Sequence, residues 1–273
     1  MINKITVEEY EAKEINAITK WENQTPNVVN KAIGVVSAPV TWVVRKVVPE
    51  KAIAGALNLA NCAGNFLADT RDLKRDGKVN EIAELKNVDL SVCDSLANGV
   101  HNWALAFAAV EGGGAGWFGL PGMAVDIPAL ITFSLRTIHK IGLCYGFESK
   151  SEDDEKFILN VLSAAGANNP SEKNAAILAM REIEVMLLNQ SWRKIGKIAA
   201  DKTVGKEAAV IAIRNLAKQL GINITKRKAL QAIPFIGAGI GAAMNAQYIN
   251  DICWAARRSF QKRWLGEKGA IEV

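Results

Sequence analysis

The recurrence of helix-start and helix-stop signals is the feature that most constrains the fold of this chain. Thr6 and Glu9 form a capping-box pattern ahead of a polar amphipathic segment, and Ser151 and Asp154 repeat that pattern later. Asn169-Pro170 places a capping residue before a proline at the first helical position. No stretch shows the sustained alternation of apolar and polar residues that marks a half-buried strand. We therefore predict an all-α fold, a single multi-helix domain with short loops.

Two nearly uncharged segments are expected to form its central, glycine-rich helices. From 112 to 135 the only charged residue is Asp126, and from 229 to 250 there is none. The second segment has the length of a membrane span, but basic residues flank it on both sides, whereas a single span normally carries them on one side. A buried core helix, a hairpin that dips into a bilayer and a true span remain open.

Composition excludes several classes of protein. With 273 residues, 49% of them hydrophobic, the chain is too apolar to be disordered and long enough to bury a core. The net charge of +5 is too small and too dispersed to indicate nucleic-acid binding. The polar, acidic N-terminus is unlike a signal peptide, which predicts a cytoplasmic location. Four separated cysteines are expected to be reduced and buried.

Three parts of the domain are expected from these patterns. Residues 1–24 form an N-terminal amphipathic helix, 25–265 the main helical domain and 266–273 a flexible C-terminal tail. Within the main domain, Pro49 is expected to open a helix that Gly77 closes, and Asp126-Ile127-Pro128 is expected to start another.

The densest glycine run matches a dinucleotide fingerprint only formally. Gly114, Gly116 and Gly119 have the right spacing, but a helix precedes them, whereas the fingerprint follows a strand. No lysine followed by serine or threonine makes a P-loop there either. We therefore expect no nucleotide and no other cofactor.

The glycines fit close helix packing or contact with lipid better. Gly237 and Gly241 lie four residues apart, so they share one helix face on which another backbone or a lipid chain can approach closely. The residues expected to contact lipid or an apolar ligand are Gly114, Gly116, Trp117, Phe118, Gly237 and Gly241.

A group of ionisable residues surrounds the first uncharged segment and is the candidate for catalysis. Its members are His101, Glu111, Asp126, Arg136 and His139. A carboxylate in dry surroundings must be paired, protonated or functional. The spacings match no known metal motif, and His101 and Glu111 on one helix would be about 15 Å apart. We therefore predict no metal, and Asp126 is expected to cap a helix.

Basic and aromatic residues alternate near the C-terminus, a mixture typical of a membrane–water interface and equally of a helix packed on the domain. The residues expected at a membrane surface are Lys226, Arg227, Lys228, Arg257, Arg258, Arg263 and Trp264. A separate mixed-charge patch, 69–76, is expected to be a self-paired surface, with docking to a partner as the alternative.

Three segments together resemble the EcsC family: LADTRDLKRDGKVNEIAEL, then HNWALAFAAVEGGGAGWFGLPGMAVDIPALITFSLRTIHKIGLCYGFE, then IPFIGAGIGAAMNAQYINDICWAARRSFQKRWL. The resemblance covers about 21–265. The family takes its name from a bacterial protein encoded beside an ATP-binding-cassette transporter. The resemblance therefore implies a bacterial helical protein with links to membrane processes, and it assigns no catalytic residue.

Together these observations predict a non-catalytic, membrane-peripheral accessory protein that binds lipid or an apolar ligand through its glycine-rich helices. Its expected place is the cytoplasm or the inner face of the membrane, and a membrane-transport protein is a further expected partner. The alternative is a hydrolase-like, metal-assisted enzyme that acts on a lipid-like or small substrate around His101, Glu111 and Asp126. The oligomeric state and the identity of the ligand are left open by the sequence.

Overall fold

A computed structural model describes residues 6–25, 70–115, 119–167, 169–195 and 237–271. For 110–115, 119–128, 152, 186, 188–195 and 237–244 it describes the backbone alone. Within these residues the chain forms seven α-helices and one short 3₁₀ helix and contains no strand, which confirms the predicted all-α class. The elements are α1 (Val7–Asn23), α2 (Arg71–Gly77), the 3₁₀ helix (Ile82–Asn87), α3 (Leu90–Ala115), α4 (Gly119–Cys144), α5 (Glu152–Gly166), α6 (Pro170–Ile195) and α7 (Gly237–Glu267).

Local capping signals predicted where three of these helices begin. Both capping boxes are present: the Thr6 and Ser151 hydroxyls accept from the backbone N–H three residues on, and the carboxylates there bond back. Asn169 Oδ1 accepts from the backbone N–H of Glu172 at 2.9 Å, which caps α6 at the expected residue. These short-range bonds satisfy N–H groups that have no partner within the helix.

The expected helix start at Asp126-Ile127-Pro128 is wrong. Helix α4 begins at Gly119 and runs without a break through these residues to Cys144, so Asp126 lies inside the helix and does not cap it. A proline removes one backbone hydrogen bond and kinks a helix, but a long helix keeps its other bonds and continues. The predicted helix after Pro49 lies outside the described residues until α2 begins at Arg71.

Helix α7 is the element around which the described core assembles. It packs against α1, α3, α4 and α5, and its inward face is apolar from Ile249 to Ala256. The fully buried positions of that face include Ile249, Ile252, Cys253, Ala255 and Ala256. Because these residues recur at helical spacing, one stripe of α7 can contact several helices at once.

Close approach of α4 to α7 depends on a glycine. A Cβ at Gly142 would lie 2.7 Å from the ring of Phe260, closer than any real contact allows. Phe260 in turn lies against Phe147 and Phe157, with ring centroids 5.7 and 5.3 Å away. The missing side chain therefore lets an aromatic cluster fill the space between α4, α5 and α7.

Both chain ends of the described structure are held by contacts. Lys86 Nζ donates to Glu267 Oε2 at 2.8 Å, and Ile271 packs against the core. Helix α7 ends at Glu267, so the segment predicted as a flexible tail from 266 onward starts within its last turn, and the flexibility of that segment stays a prediction. At the other end, α1 packs on α3 and α7 and belongs to the same helical assembly.

Candidate functional site

An exposed aromatic stack lies on α3 and α4. Trp103 is 61% exposed and Phe107 is 40% exposed, although both are large and apolar. Their rings stack with a centroid distance of 5.5 Å, and Phe133 of α4 stacks on Phe107 at 4.8 Å. Trp103 and Phe107 share a helix face because they are four residues apart. The arrangement presents a continuous aromatic surface to solvent.

The two helices that carry this stack form a hairpin poor in charge. Helix α3 ends at Ala115, α4 begins at Gly119, and the two pack against each other. From 102 to 135 the sequence contains only Glu111 and Asp126 as charged residues. At 1.5 Å per residue, Trp103 lies about 18 Å from the end of α3. The stack thus marks the base of a long, largely uncharged helical hairpin.

The glycines predicted to contact lipid are only partly described. Gly114 lies in the last turns of α3, and Gly237 and Gly241 lie in the first turns of α7. Gly116, Trp117 and Phe118 lie outside the described residues. In the part of the chain that is described, no helix combines the length and apolarity required to cross a membrane.

The two histidines of the predicted catalytic group have separate hydrogen-bond partners. His101 Nε2 lies 3.1 Å from Asn250 Oδ1, and Arg257 Nη1 lies 3.5 Å from His101 Nδ1. His139 Nδ1 instead lies 3.0 Å from the hydroxyl of Ser149. The two histidines therefore contact different partners on different elements.

Burial lowers the pKa of both imidazoles, in the case of His139 to about 4, so both rings are neutral at pH 7. Arg136 is exposed on α4, and Glu111 and Asp126 are described by backbone alone. No three His, Cys, Asp or Glu side chains cluster in metal-binding range among the described residues. None of these observations favours the hydrolase-like alternative.

Four residues predicted at a membrane surface are instead packed inside the helical assembly. Arg257 is 9% exposed and Trp264 is 3% exposed. Arg258 Nη1 donates to Glu14 Oε2 at 2.5 Å, and Arg263 Nη2 donates to Asp154 Oδ1 at 2.9 Å. The expectation that these four residues face headgroups is therefore corrected. Arg258 and Arg263 are paired with carboxylates of α1 and α5, and the other two side chains are buried in the core. Lys226, Arg227 and Lys228 lie outside the described residues.

A buried polar network is the feature that the sequence analysis missed. Asp94, 5% exposed on α3, accepts hydrogen bonds from Tyr10, Tyr145 and Gln261 at 2.7, 2.6 and 2.6 Å. Gln261 also donates to Glu14 at 3.2 Å, which connects this network to Arg258. Burial and the neighbouring Asp94 raise the pKa of both tyrosines, so their hydroxyls remain donors. The network joins α1, α3, α7 and the end of α4.

A sequence signal for this network does exist. Asp94, Asn98 and His101 are spaced by four and three residues, so they share one face of the otherwise apolar α3. A polar stripe on an apolar helix indicates buried partners, because an unpaired buried polar group is costly. The partners themselves lie up to 167 residues away in sequence, and no local pattern identifies them.

The described cysteines are structural. Cys93, Cys144 and Cys253 are free thiols and fully buried, as predicted. Burial raises the pKa of Cys93 and Cys253 to about 12 and raises that of Cys144 as well. Thiols of this kind are poor nucleophiles at neutral pH.

The mixed-charge patch is ion-paired where it is described, partly with residues outside the patch. Lys140 Nζ donates to Asp72 Oδ1 at 2.9 Å, and Arg75 Nε donates to Asp76 Oδ1 at 2.7 Å. Asp69 lies outside the described residues. The second pair lies within the patch, and the first joins the patch to α4, so these charges are paired on the protein itself.

Comparison with known proteins supplies the identity that the geometry leaves open. The profile of the EcsC protein family matches residues 12–265. The chain is 26% identical over 187 residues to the uncharacterized protein YdbA of Bacillus subtilis (strain 168). That alignment covers 68% of this chain and 63% of the relative, so the chain spans less than two thirds of the relative's length. No solved structure matches significantly. Because the family profile spans nearly the whole chain, this protein belongs to the EcsC family.

Proposed function

We propose that this protein is a non-catalytic, membrane-peripheral accessory protein that binds lipid through the α3–α4 hairpin. The observation that carries the proposal is the exposed stack of Trp103, Phe107 and Phe133 at the base of that hairpin. Large exposed apolar patches on a folded protein mark interaction surfaces. Tryptophan favours the level of the lipid headgroups, and phenylalanine is typical of the apolar face of a helix that lies in the membrane interface.

The charge pattern of the hairpin supports lipid over a polar partner. Beyond the aromatic stack, only Glu111 and Asp126 carry charge, whereas the basic residues Arg136 and Lys140 follow on the α4 side. Such a boundary between an uncharged segment and basic residues matches the boundary between the apolar layer and the headgroups. The proposal places the hairpin end in the apolar layer and the helical assembly in water, at the inner face of the membrane.

The electrostatic part of the proposal rests on fewer residues than the sequence pattern offered. Arg257, Arg258 and Arg263 are engaged by other side chains, so Lys226, Arg227 and Lys228 are the basic residues proposed to contact anionic headgroups. A role beside a membrane-transport protein remains part of the proposal and is supported by the family resemblance alone.

Vesicle flotation tests the proposal with a matched pair of variants. The double variant W103A/F107A removes the exposed stack, and L178A/V185A removes two exposed apolar side chains of α6, which are 57% and 42% exposed. We expect W103A/F107A to lower vesicle binding at least about tenfold, since each aromatic ring contributes roughly 1.5–3 kcal/mol when buried. L178A/V185A is expected to bind like the wild type. Equal binding by the two double variants would contradict the proposal.

A further inference from the structure

A second site lies away from the hairpin, in an open cleft between α1, α5, α6 and α7. The cleft has a volume of about 470 Å³, within the range of small-molecule sites. Its walls include Lys20 and Trp21 of α1, Lys173 of α6, and Asn250, Trp254 and Arg258 of α7. Three alanines near the end of α5 form an apolar part of the lining: Ala164, Ala165 and Ala167.

Hydrogen bonding around His101 fixes the orientation of Asn250. Arg257 can only donate, so its contact at 3.5 Å makes His101 Nδ1 an acceptor and leaves the proton on Nε2. Nε2 therefore donates to Asn250 Oδ1 at 3.1 Å. The amide oxygen of Asn250 is thus engaged, whereas its NH₂ group donates to no described residue. Asn250 contributes hydrogen-bond donors to a cleft that it lines.

The other unengaged polar groups of the lining are mostly donors too. The indole N–H groups of Trp21 and Trp254 donate to no described residue, and the exposed ammonium of Lys20 pairs with no described carboxylate. Lys173 Nζ lies 4.6 Å from the centre of the Trp21 ring and donates to the carbonyl oxygens of Trp21 and Gln24. Because Lys173 is largely buried, solvent screens its positive charge only partly.

Charge and shape together define the class of ligand. Lys20 and Lys173 carry two positive charges beside one carboxylate, Asp251, which already accepts from Gln247 at 2.9 Å, whereas the charge of Arg258 is paired with Glu14. The two indole rings and the alanines offer apolar contact. We propose that this cleft binds a small organic anion whose carboxylate or phosphate group meets Lys20 and the Asn250 amide and whose apolar chain lies against Trp21 and Trp254.

Calorimetric titration of the full chain tests this proposal with four probes that share a six-carbon chain. Hexyl phosphate and hexanoate are expected to bind saturably, whereas hexanol and hexylamine are expected to bind much more weakly. None of the lining residues belongs to α3 or α4, so W103A/F107A is expected to bind the anions like the wild type. A loss of vesicle binding and a loss of anion binding are therefore distinguishable.

Two pairs of variants localise the binding. The change N250D keeps an oxygen for His101 and replaces the NH₂ donors by a negative oxygen, whereas N23D adds the same charge at an exposed site of α1 outside the cleft. The change K20Q removes the ammonium that lines the cleft, whereas K13Q removes another exposed lysine of α1. We expect N250D and K20Q each to weaken anion binding about tenfold, the effect of one charge-assisted hydrogen bond, and N23D and K13Q to leave it unchanged.

Because Lys20 is exposed, K20Q is expected to fold like the wild type. The comparison of K20Q with K13Q therefore tests the proposal even if N250D is unstable. Equal affinities for K20Q and K13Q, or binding of hexylamine as tight as that of hexanoate, would overturn the proposal. Competition identifies the source of the anion: displacement of hexyl phosphate by anionic vesicles indicates a lipid headgroup, and its persistence indicates a soluble anion.

Discussion

Arg258 of α7 donates through Nη1 to Glu14 Oε2 of α1 at 2.5 Å, across 244 residues of sequence. Both side chains are largely buried, with 13% and 11% of their surface exposed. The same guanidinium lies 5.0 Å from the centre of the Trp254 ring, at the cleft described above. This ion pair therefore helps to attach the N-terminal helix to the central helix and to one wall of the cleft.

Removal of one partner of this pair is expected to destabilise the protein strongly. In R258M, Glu14 keeps a buried charge without its cation, and we expect the free energy of unfolding to fall by about 3 kcal/mol. The double variant E14L/R258M removes both charges and is expected to recover much of that loss. Urea unfolding measures both. As a control, K150M breaks an exposed pair with Glu148 and is expected to change stability by less than about 0.5 kcal/mol. A double variant no more stable than R258M would contradict the account.

A pair of glycine substitutions tests the packing of α4 on α7. G142A forces a methyl group into the Phe260 ring, and we expect a loss of about 1–3 kcal/mol in the free energy of unfolding. G99A lies in the interior of α3 with open space around the added carbon, so it is expected to stabilise the protein by roughly 0.5–1 kcal/mol. Thermal unfolding gives the sign of each change. Stabilisation of G142A to the same extent as G99A would mean that Phe260 yields without cost and would contradict this account.

Acid is expected to destabilise the protein through His139. Burial lowers the pKa of this imidazole from 6.5 to about 4 in the folded state, so the unfolded chain binds the proton first as pH falls. The stabilising contribution is complete above pH 6.5 and is lost as pH falls to about 4, in total about 3 kcal/mol. We expect H139Q to show a flatter profile of unfolding free energy over this window. An unchanged slope in H139Q would place the acid sensitivity elsewhere.

Glu184 is expected to have the opposite dependence on pH. It is 3% exposed, its Oε2 has no hydrogen-bond partner among the described residues, and burial raises its pKa from 4.5 to about 7. A raised carboxyl pKa contributes stability that is complete below pH 4.5 and is lost as pH rises through 7. Its neighbours Lys262, Arg263 and Arg181 lower the pKa against the effect of burial. We expect E184Q to be more stable than the wild type at pH 8, with little difference at pH 4.5. Greater stability of the wild type at pH 8 would contradict this assignment.

Sequence patterns predicted the structural features that depend on residues close together in the chain. The capping boxes at Thr6 and Ser151 span four residues each, and the hydrogen bonds that define them form within one helical turn. The prediction from local sequence that a helix starts at Asp126 was wrong, because the helix that begins at Gly119 continues through Pro128. A proline disfavours helix at the preceding residue but does not forbid it.

Contacts that join distant segments could not be predicted in this way. Whether Arg258 faces solvent or a buried carboxylate depends on where α1 packs, and nothing near Arg258 in sequence contains that information. Asp94 was overlooked for the same reason, since Tyr10, Tyr145 and Gln261 come from three other parts of the chain. The exposed face of Trp103 and Phe107 was likewise invisible, because aromatic residues at helical spacing are usually buried.

The central claim, that the α3–α4 hairpin enters the apolar layer of a membrane, is tested most directly by a fluorescent probe on that hairpin. Ala106 and Ala175 are both exposed helical alanines, the first beside the aromatic stack on α3 and the second on α6. The changes A106C and A175C, each in a C62S background, allow an environment-sensitive dye to be attached, because the other three thiols are buried. On addition of anionic vesicles, the dye at 106 is expected to shift to the blue and to be quenched by spin-labelled lipid chains, while the dye at 175 remains unchanged. A dye at 106 that stays as water-exposed as the dye at 175, in the presence of excess vesicles, would contradict the account.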